Sequence, residues 1–551
     1  MSRCGYDCSA EPPAFSPDGD ITGIGIVTNY IASASIVLLV TIIYYLGVFQ
    51  PSHDPSEKGD QIDDLFRPNP VDEVFLRAVR WAPRRILRRT LKSRRMGPHS
   101  SIRLQQTFIK CLLAMSDLQI VTGFSILISG FAQLRCGLAA YHWPFIIKLA
   151  WFSSLTHLSC LTVLRSHLYR FSTERLLRLL AMGGLAIFLI VGLLSTGNRE
   201  WEANNAWGLN SPAICHIWIF PDSPAGDITF WSVLVSVILI GVAFFSRVIK
   251  LHKALSVDVF GRARKWLSIR ARRILRIVFD RACKKRHPHS LRRSICYRPL
   301  LAVFLTARLV CDGWSSVLFE VIWLLIAFGW GVVRIVWDLS QEGSLVGHWT
   351  FGQIVAVVLL AAPFITMMQY FNKDTIYSPA AGLKNNFNQA LYEPRTTRPL
   401  IPLSMDRVLI DPESPNGDWD SYTDTLTTSV SYAVLSSVLW SGLVFFLSGR
   451  TTPLYGILTL AYVFPLAFTG IYGVVLFSLL IRAVLFQGNR WLRFLLQFVN
   501  TFFFMLSVFF AFFVPDIDVF RGVLDVRFAY PQIAAAGLYT VVALAHKLFY
   551  R

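Results

Sequence analysis

The residues that could carry chemistry in this chain are ionisable groups set inside apolar stretches, where a charge is costly and a function is its usual justification. Asp312 and Glu320 are eight residues apart, a spacing that puts both on one face of a helix. Two carboxylates so placed read as an acid and a base for proton chemistry within a membrane, although no third group completes a constellation. Asp117 and Lys148 form a second candidate set. Asp117 lies about 9 Å above the inner end of one apolar segment, and Lys148 about 16 Å below the outer end of the next. With about 30 Å of hydrocarbon the two sit at similar depth. They are expected to pair, either as a structural salt bridge or as part of a ligand or transport path. His157 lies among Trp151, Ser153, Ser154 and Thr156, a setting typical of a histidine hydrogen-bonded between helices.

Other chemistries leave no trace. The sequence has no phosphate-cradling Gly-rich loop, dinucleotide fingerprint, nucleophile elbow or zinc-protease helix motif, so no catalytic residue and no cofactor are assigned. No second His, Cys or carboxylate recurs near His157 at metal-ligand spacing, and no metal is expected. Nine cysteines are present. Cys4, Cys8, Cys136 and Cys215 fall on the expected oxidising side. A Cys136–Cys215 bridge would pin the loop Gly197–Asp227 over the helices, with Cys4 and Cys8 as the complementary pair and other pairings open.

The elements that must position these groups are membrane spans. Of 551 residues 54% are hydrophobic and 16% charged, against about 25% charged in soluble domains. Secreted disulfide scaffolds, disordered chains and ordinary soluble enzymes are thereby excluded. Since about 20 apolar residues cross the bilayer, the sequence predicts an all-α, polytopic transmembrane helix bundle. Eleven spans are expected, at Ile21–Phe49, Cys111–Leu134, Gly137–Leu164, Leu176–Thr196, Ile228–Ile249, Val317–Trp337, Val346–Phe371, Val430–Leu447, Leu454–Ile481, Phe494–Val514 and Pro531–Phe549. Leu300–Trp314, which carries Arg308 and Asp312, reads as an interfacial helix or as an early turn of the sixth span. Residues 1–20 form an extracytoplasmic segment rather than a cleavable signal. Residues 21–371 form a seven-span core with basic loops 50–110 and 250–299. A Pro-rich polar loop, 372–429, separates this core from a four-span region at 430–551, with no internal repeat between the two halves.

The net charge of +19 belongs to the same topology. Arg67–Lys110 carries a net of +10 and Arg247–Arg298 a net of +15, which leaves −6 for everything else. Basic loops between apolar segments mark the cytoplasmic side, giving N-out and C-in. A nucleic-acid partner would instead need a folded basic surface with a recognisable motif, and none is expected. Within the second loop, Leu267, Ala271, Ile274, Val278 and Ala282 make an apolar stripe flanked by Arg264, Arg272, Arg273 and Arg276. Such a helix is expected to lie on the anionic lipids of the inner leaflet, a calmodulin-like partner being the sharper alternative.

Four stretches carry a resemblance: SPDGDITGIGI ending at Ile26, QIVTGFSILISGFAQLRCGLAAYHW ending at Trp143, LAWFSSLTHLSCLTVLR ending at Arg165, and GHWTFGQIVAVVLLAAPF ending at Phe364. They resemble a lineage-restricted group of multi-pass membrane proteins of filamentous fungi, over the first seven spans only. The resemblance implies an integral protein of the plasma membrane or another endomembrane, of a kind that sometimes accompanies secondary-metabolite gene clusters. Lys148 departs from it, standing where an aromatic residue is expected. Three functions are expected, in order: a non-enzymatic receptor-like or accessory membrane component, a small-molecule transporter or efflux helper, and an intramembrane cyclase or transferase.

Overall fold

The computed structural model describes residues 18–49, 98–165, 172–196, 210–216, 228–282 and 297–342 almost throughout, with Cys8, Leu168 and parts of 69–79 and 349–369. The expected loop 372–429 and the four spans from Val430 onward lie outside the described residues. What is described is helical, with no strand among these residues, only an isolated bridge between Ala139 and Pro212.

Asp18 starts the first helix, α1 (Gly19–Thr22), by accepting the Asp20 N–H at 2.8 Å. Extended backbone at Gly23 then separates α1 from α2 (Ile24–Ile43), which closes in a π-helical turn at Tyr44–Val48. The next helix, α3 (Pro98–Gln133), begins at Pro98 rather than at the expected Cys111. Pro98 suits the first helical turn, and the residues from His99 to Lys110 contain no Gly or Pro that would break the helix. Gly137 stops this segment with a left-handed φ of 82°, which glycine adopts at little cost.

At the centre stands α4 (His142–Val163), buried along its whole length. It packs against α2, α3, α5 (Ser172–Ser195), α6 (Ile228–Leu251) and α9 (Val317–Glu342). A helix enclosed on all sides needs no polar face, and α4 neutralises its own hydroxyls. Thr156, Ser159 and Thr162 each donate to the carbonyl four residues back. Tryptophans join the neighbours: Trp143 donates to Ser195 of α5, Trp151 to the Ala327 carbonyl of α9, and Trp330 of α9 to Ser236 of α6. Gly331 lets α9 approach α4 closely, since a Cβ there would stand 2.8 Å from the Trp151 ring.

Among the described residues, four helical segments, Ile24–Val48, Thr107–Cys136, His142–Val163 and Ser172–Ser195, are long and apolar enough to cross a membrane by length and composition. On α5, Leu176, Leu177, Leu180, Ile187, Val191 and Leu194 point away from the bundle, as lipid-facing residues do. The expected Leu300–Trp314 element is a separate helix, α8 (Arg298–Ser315), cut from α9 by extended backbone at Ser316. Between α6 and α8 runs the basic helix α7 (Arg262–Ala282). The last described helix, α10 (Phe351–Leu359), is shorter than the expected Val346–Phe371. The chain turns at Leu360 and Ala361, beyond which Ala362, Phe364, Ile365, Met368 and Gln369 are again helical, inside the expected bounds.

Candidate functional site

A buried polar cluster lies where the C-terminal ends of α4 and α6 meet the N-terminal end of α9. Glu320, in the first turn of α9, takes Lys250 of α6 at 2.5 Å and Arg247 of α6 at 3.7 Å. All three side chains are buried. Arg247 also donates to the Thr162 hydroxyl of α4 at 2.8 Å. Its spacing from Lys250, three residues on a helix, is what allows one carboxylate to engage both cations. Lys250 further stands 5.6 Å from the centre of the Trp314 ring, and Arg165 lies within electrostatic range of both Lys250 and Glu320.

Asp72, from the first basic loop, completes this rim. Its carboxylate accepts the Val317 N–H at 3.0 Å, the Leu318 N–H at 2.9 Å and the Tyr45 hydroxyl at 2.8 Å. A side chain distant in sequence thereby satisfies the first amide donors of α9, which have no partner within their own helix. Burial pushes the Asp72 carboxyl above its usual range, against the pull of these three donors and of Lys250. Beside it, Asn69 donates to the Asp312 carbonyl and to the Ser315 hydroxyl at the end of α8. The Asp312 carboxylate itself is held by Arg264 of α7 and by Arg308 at 3.8 Å.

This geometry corrects the acid–base expectation. Asp312 and Glu320 do not share one helix face, because extended backbone at Ser316 breaks the helix between them and each is committed to its own cations. The expected Asp117–Lys148 pair is also replaced. Asp117 accepts from Arg178 of α5 at 3.1 Å, and Arg178 in turn reaches Glu174 at 3.0 Å. The cause is helix facing. The buried stripe of α3 runs through Phe108, Cys111, Leu112, Met115, Ser116 and Gln119, and Asp117 lies off it. Lys148 is buried within α4. His157 is fully buried with Nδ1 2.7 Å from the Ser116 hydroxyl, and its Nε2 has no partner among the described residues. Among these residues no group of His, Cys, Asp or Glu is placed to hold a metal. The narrow crevice between α4, α6 and α9 is lined mainly by apolar side chains, Trp151, Leu155, Leu239, Ala243, Trp323 and Ala327 among them.

At the opposite end of α4 the chain is clasped. Cys8 is bonded to Cys215 across 207 residues, so the expected Cys136–Cys215 bridge does not form. Cys136 is disulfide-bonded too. The Cys215 segment reaches its place through the backbone. Ala140 N–H donates to Ser211 and Ala213 N–H to Leu138, which lays residues 211–213 against the turn before α4. The Asp18 N–H donates to His142 Nε2 at 2.9 Å, Thr350 donates to Asp20 at 2.5 Å, and Gly25 N–H to Gln353 at 3.2 Å. A Cβ at Gly25 would meet Gln353 at 2.8 Å, so the close approach of α2 to α10 requires glycine. The first of the four stretches that carry the sequence resemblance thus touches two of the others here.

Asp72, Arg247 and Lys250 were not singled out as site residues by sequence reasoning, which counted the two cations only toward orientation. The one available signal was Asp72 itself, a carboxylate in a segment otherwise dominated by Lys and Arg.

No protein-family model matches the chain, and no solved structure matches it. A stretch of 150 residues, 27% of the chain, is 30% identical to the Elsinochromes biosynthesis cluster protein HP3 of Elsinoe fawcettii. The match covers 48% of that protein, so the chain spans about half the length of the curated relative it matches.

Proposed function

We propose that this chain is a non-enzymatic, receptor-like or accessory component of a fungal membrane that serves secondary metabolism. The observation that carries the reading is the commitment of Glu320 to both Arg247 and Lys250. The carboxylate best placed for intramembrane chemistry is already used to tie α6 to α9. An ion pair buried this way keeps Glu320 from acting as a base, and it links two helices through a contact with discrete made and broken states, as a signal-transmitting bundle requires. The kinship with a biosynthesis-cluster protein supports the metabolic setting.

The proposed arrangement keeps eleven spans, a seven-span core with the N-terminus outside and a four-span region ending inside. A disulfide at the Cys8 end favours an oxidising compartment on that side, and basic α7 favours the cytoplasm on the other. The membrane is the plasma membrane or another endomembrane. Deleting the gene and profiling the metabolites tests the role. A component of this kind predicts a lost or reduced metabolite response, with no substrate that isolated wild-type membranes convert. Conversion of an accumulated compound by those membranes would sink the reading.

Transport is the second reading, and Lys148 favours it, as a cation buried within a candidate span. Lys148→Met is then expected to change the ratio of intracellular to extracellular product at constant total. An unchanged ratio removes this reading.

A further inference from the structure

Helix α7 is apolar on two sides, and only one of them is used by the bundle. Leu275 is buried, with Ser268, Ala271, Val278 and Phe279 half-buried beside it, and the Phe279 ring meets Tyr297 edge-on at 5.0 Å. The Arg264–Asp312 ion pair fastens the helix to α8. The expected stripe is therefore split. Ala271 and Val278 turn inward, whereas Leu267 and Ile274 turn outward with Trp266 and Ile277. Trp266 and Leu267 are 58% and 62% exposed.

These outward apolar groups share their face with arginines. Positions 266, 270, 273, 277 and 281 recur every three or four residues, and 274 lies three before 277, which aligns Trp266, Ile274 and Ile277 with Arg270, Arg273 and Arg281. The Arg270 guanidinium lies 4.7 Å from the Trp266 ring centre. Val259 and Phe260, in the π-helical turn just before α7, are exposed as well. The helix carries eight Lys and Arg against Asp280 alone. Water favours neither exposed Trp nor exposed Ile, and a protein groove would favour a clean apolar stripe. An interface offers an acyl boundary for the apolar groups and phosphates for arginines at the same depth.

We propose that the outward face of α7 docks on anionic phospholipid headgroups, with Trp266, Leu267, Ile274 and Ile277 entering the acyl boundary while Arg270, Arg273 and Arg281 meet the phosphates. Charge complementarity selects the anionic lipid. The buried inner face argues against a partner that wraps the helix on all sides, as calmodulin-like proteins do. The inference requires only that the chain sits in a membrane, and it survives if the receptor-like reading fails.

Hydrogen exchange on the full chain in lipid nanodiscs tests it. Residues 262–282 are expected to exchange several-fold more slowly in discs containing phosphatidylserine than in phosphatidylcholine alone, with the difference shrinking at high salt. The substitutions Arg270→Gln, Arg273→Gln and Arg281→Gln together should abolish the lipid dependence while α4 keeps its protection. Trp266→Ser with Ile277→Ser should weaken the protection that persists in salt. All five side chains point outward, so the bundle is expected to fold. Equal exchange in the two lipids overturns the proposal, as does full protection in the triple arginine variant. Protection by calcium-loaded calmodulin with none from anionic lipid overturns it in favour of a protein partner.

Discussion

Asp72 shows how much one carboxylate can organise. It caps α9, fixes the Tyr45 hydroxyl and faces Lys250. Asp72→Ala removes the acceptor that serves two α9 amides and the Tyr45 hydroxyl, and we predict a loss of about 1–3 kcal/mol, seen as a lower thermal midpoint in detergent. Because burial raises this carboxyl above its unfolded value, the folded state binds the proton more tightly. Asp72 therefore favours folding most below the unfolded value, and that contribution is lost as pH rises through the raised one. Asp72→Asn should remove this component from the stability–pH curve, and an unchanged curve contradicts the assignment. Glu320 has the opposite partners. Glu320→Ala strands two buried cations and should cost about 3–5 kcal/mol, whereas Glu320→Leu with Arg247→Met and Lys250→Met should cost much less. Equal losses in the two variants would show that the ion pairs contribute little. Of the pairings described, only Arg308 with Asp312, four residues apart on one helix, was legible from spacing. Asp117, Asp312 and Glu320 were visible as costly charges, but partner choice depends on which way each helix face turns, and sequence spacing does not supply that.

At the scale of elements, apolar length was the readable quantity. The helical segments at Ile24–Val48, His142–Val163 and Ser172–Ser195 fall on expected spans, with ends that differ by up to five residues. What length cannot show is where a helix continues past its apolar part, as α3 does toward Pro98, or where one polar residue such as Ser316 divides two helices. Packing partners are hidden for the same reason. Gly331 reads as an ordinary small residue until Trp151 is found against it. Gly331→Leu should push α9 from α4 and cost about 1–3 kcal/mol, measurable as a lowered thermal midpoint. Gly47, with open space around it, should accept alanine with little change.

For the whole molecule, composition announced a membrane protein and the parity of outer cysteines announced bridging, but parity leaves connectivity open. The observed bond brings the N-terminal segment to the Cys215 turn. Free Cys311, exposed on α8, provides a probe of orientation. A membrane-impermeant maleimide applied to intact cells should leave Cys311 unlabelled and should reach Cys215 only after reduction. Labelling of Cys311 from outside would reverse the proposed topology.

The Cys8–Cys215 bond also makes a closed covalent ring from the first part of the chain, with the basic loop 50–110 and helices α2 to α5 as arcs of it. A protease that cuts once within the ring opens it without dividing it. The two pieces migrate as one molecule until a thiol is added, and only then does the N-terminal piece separate. Such a nicked protein would keep its first span beside the others while losing the chain continuity between them.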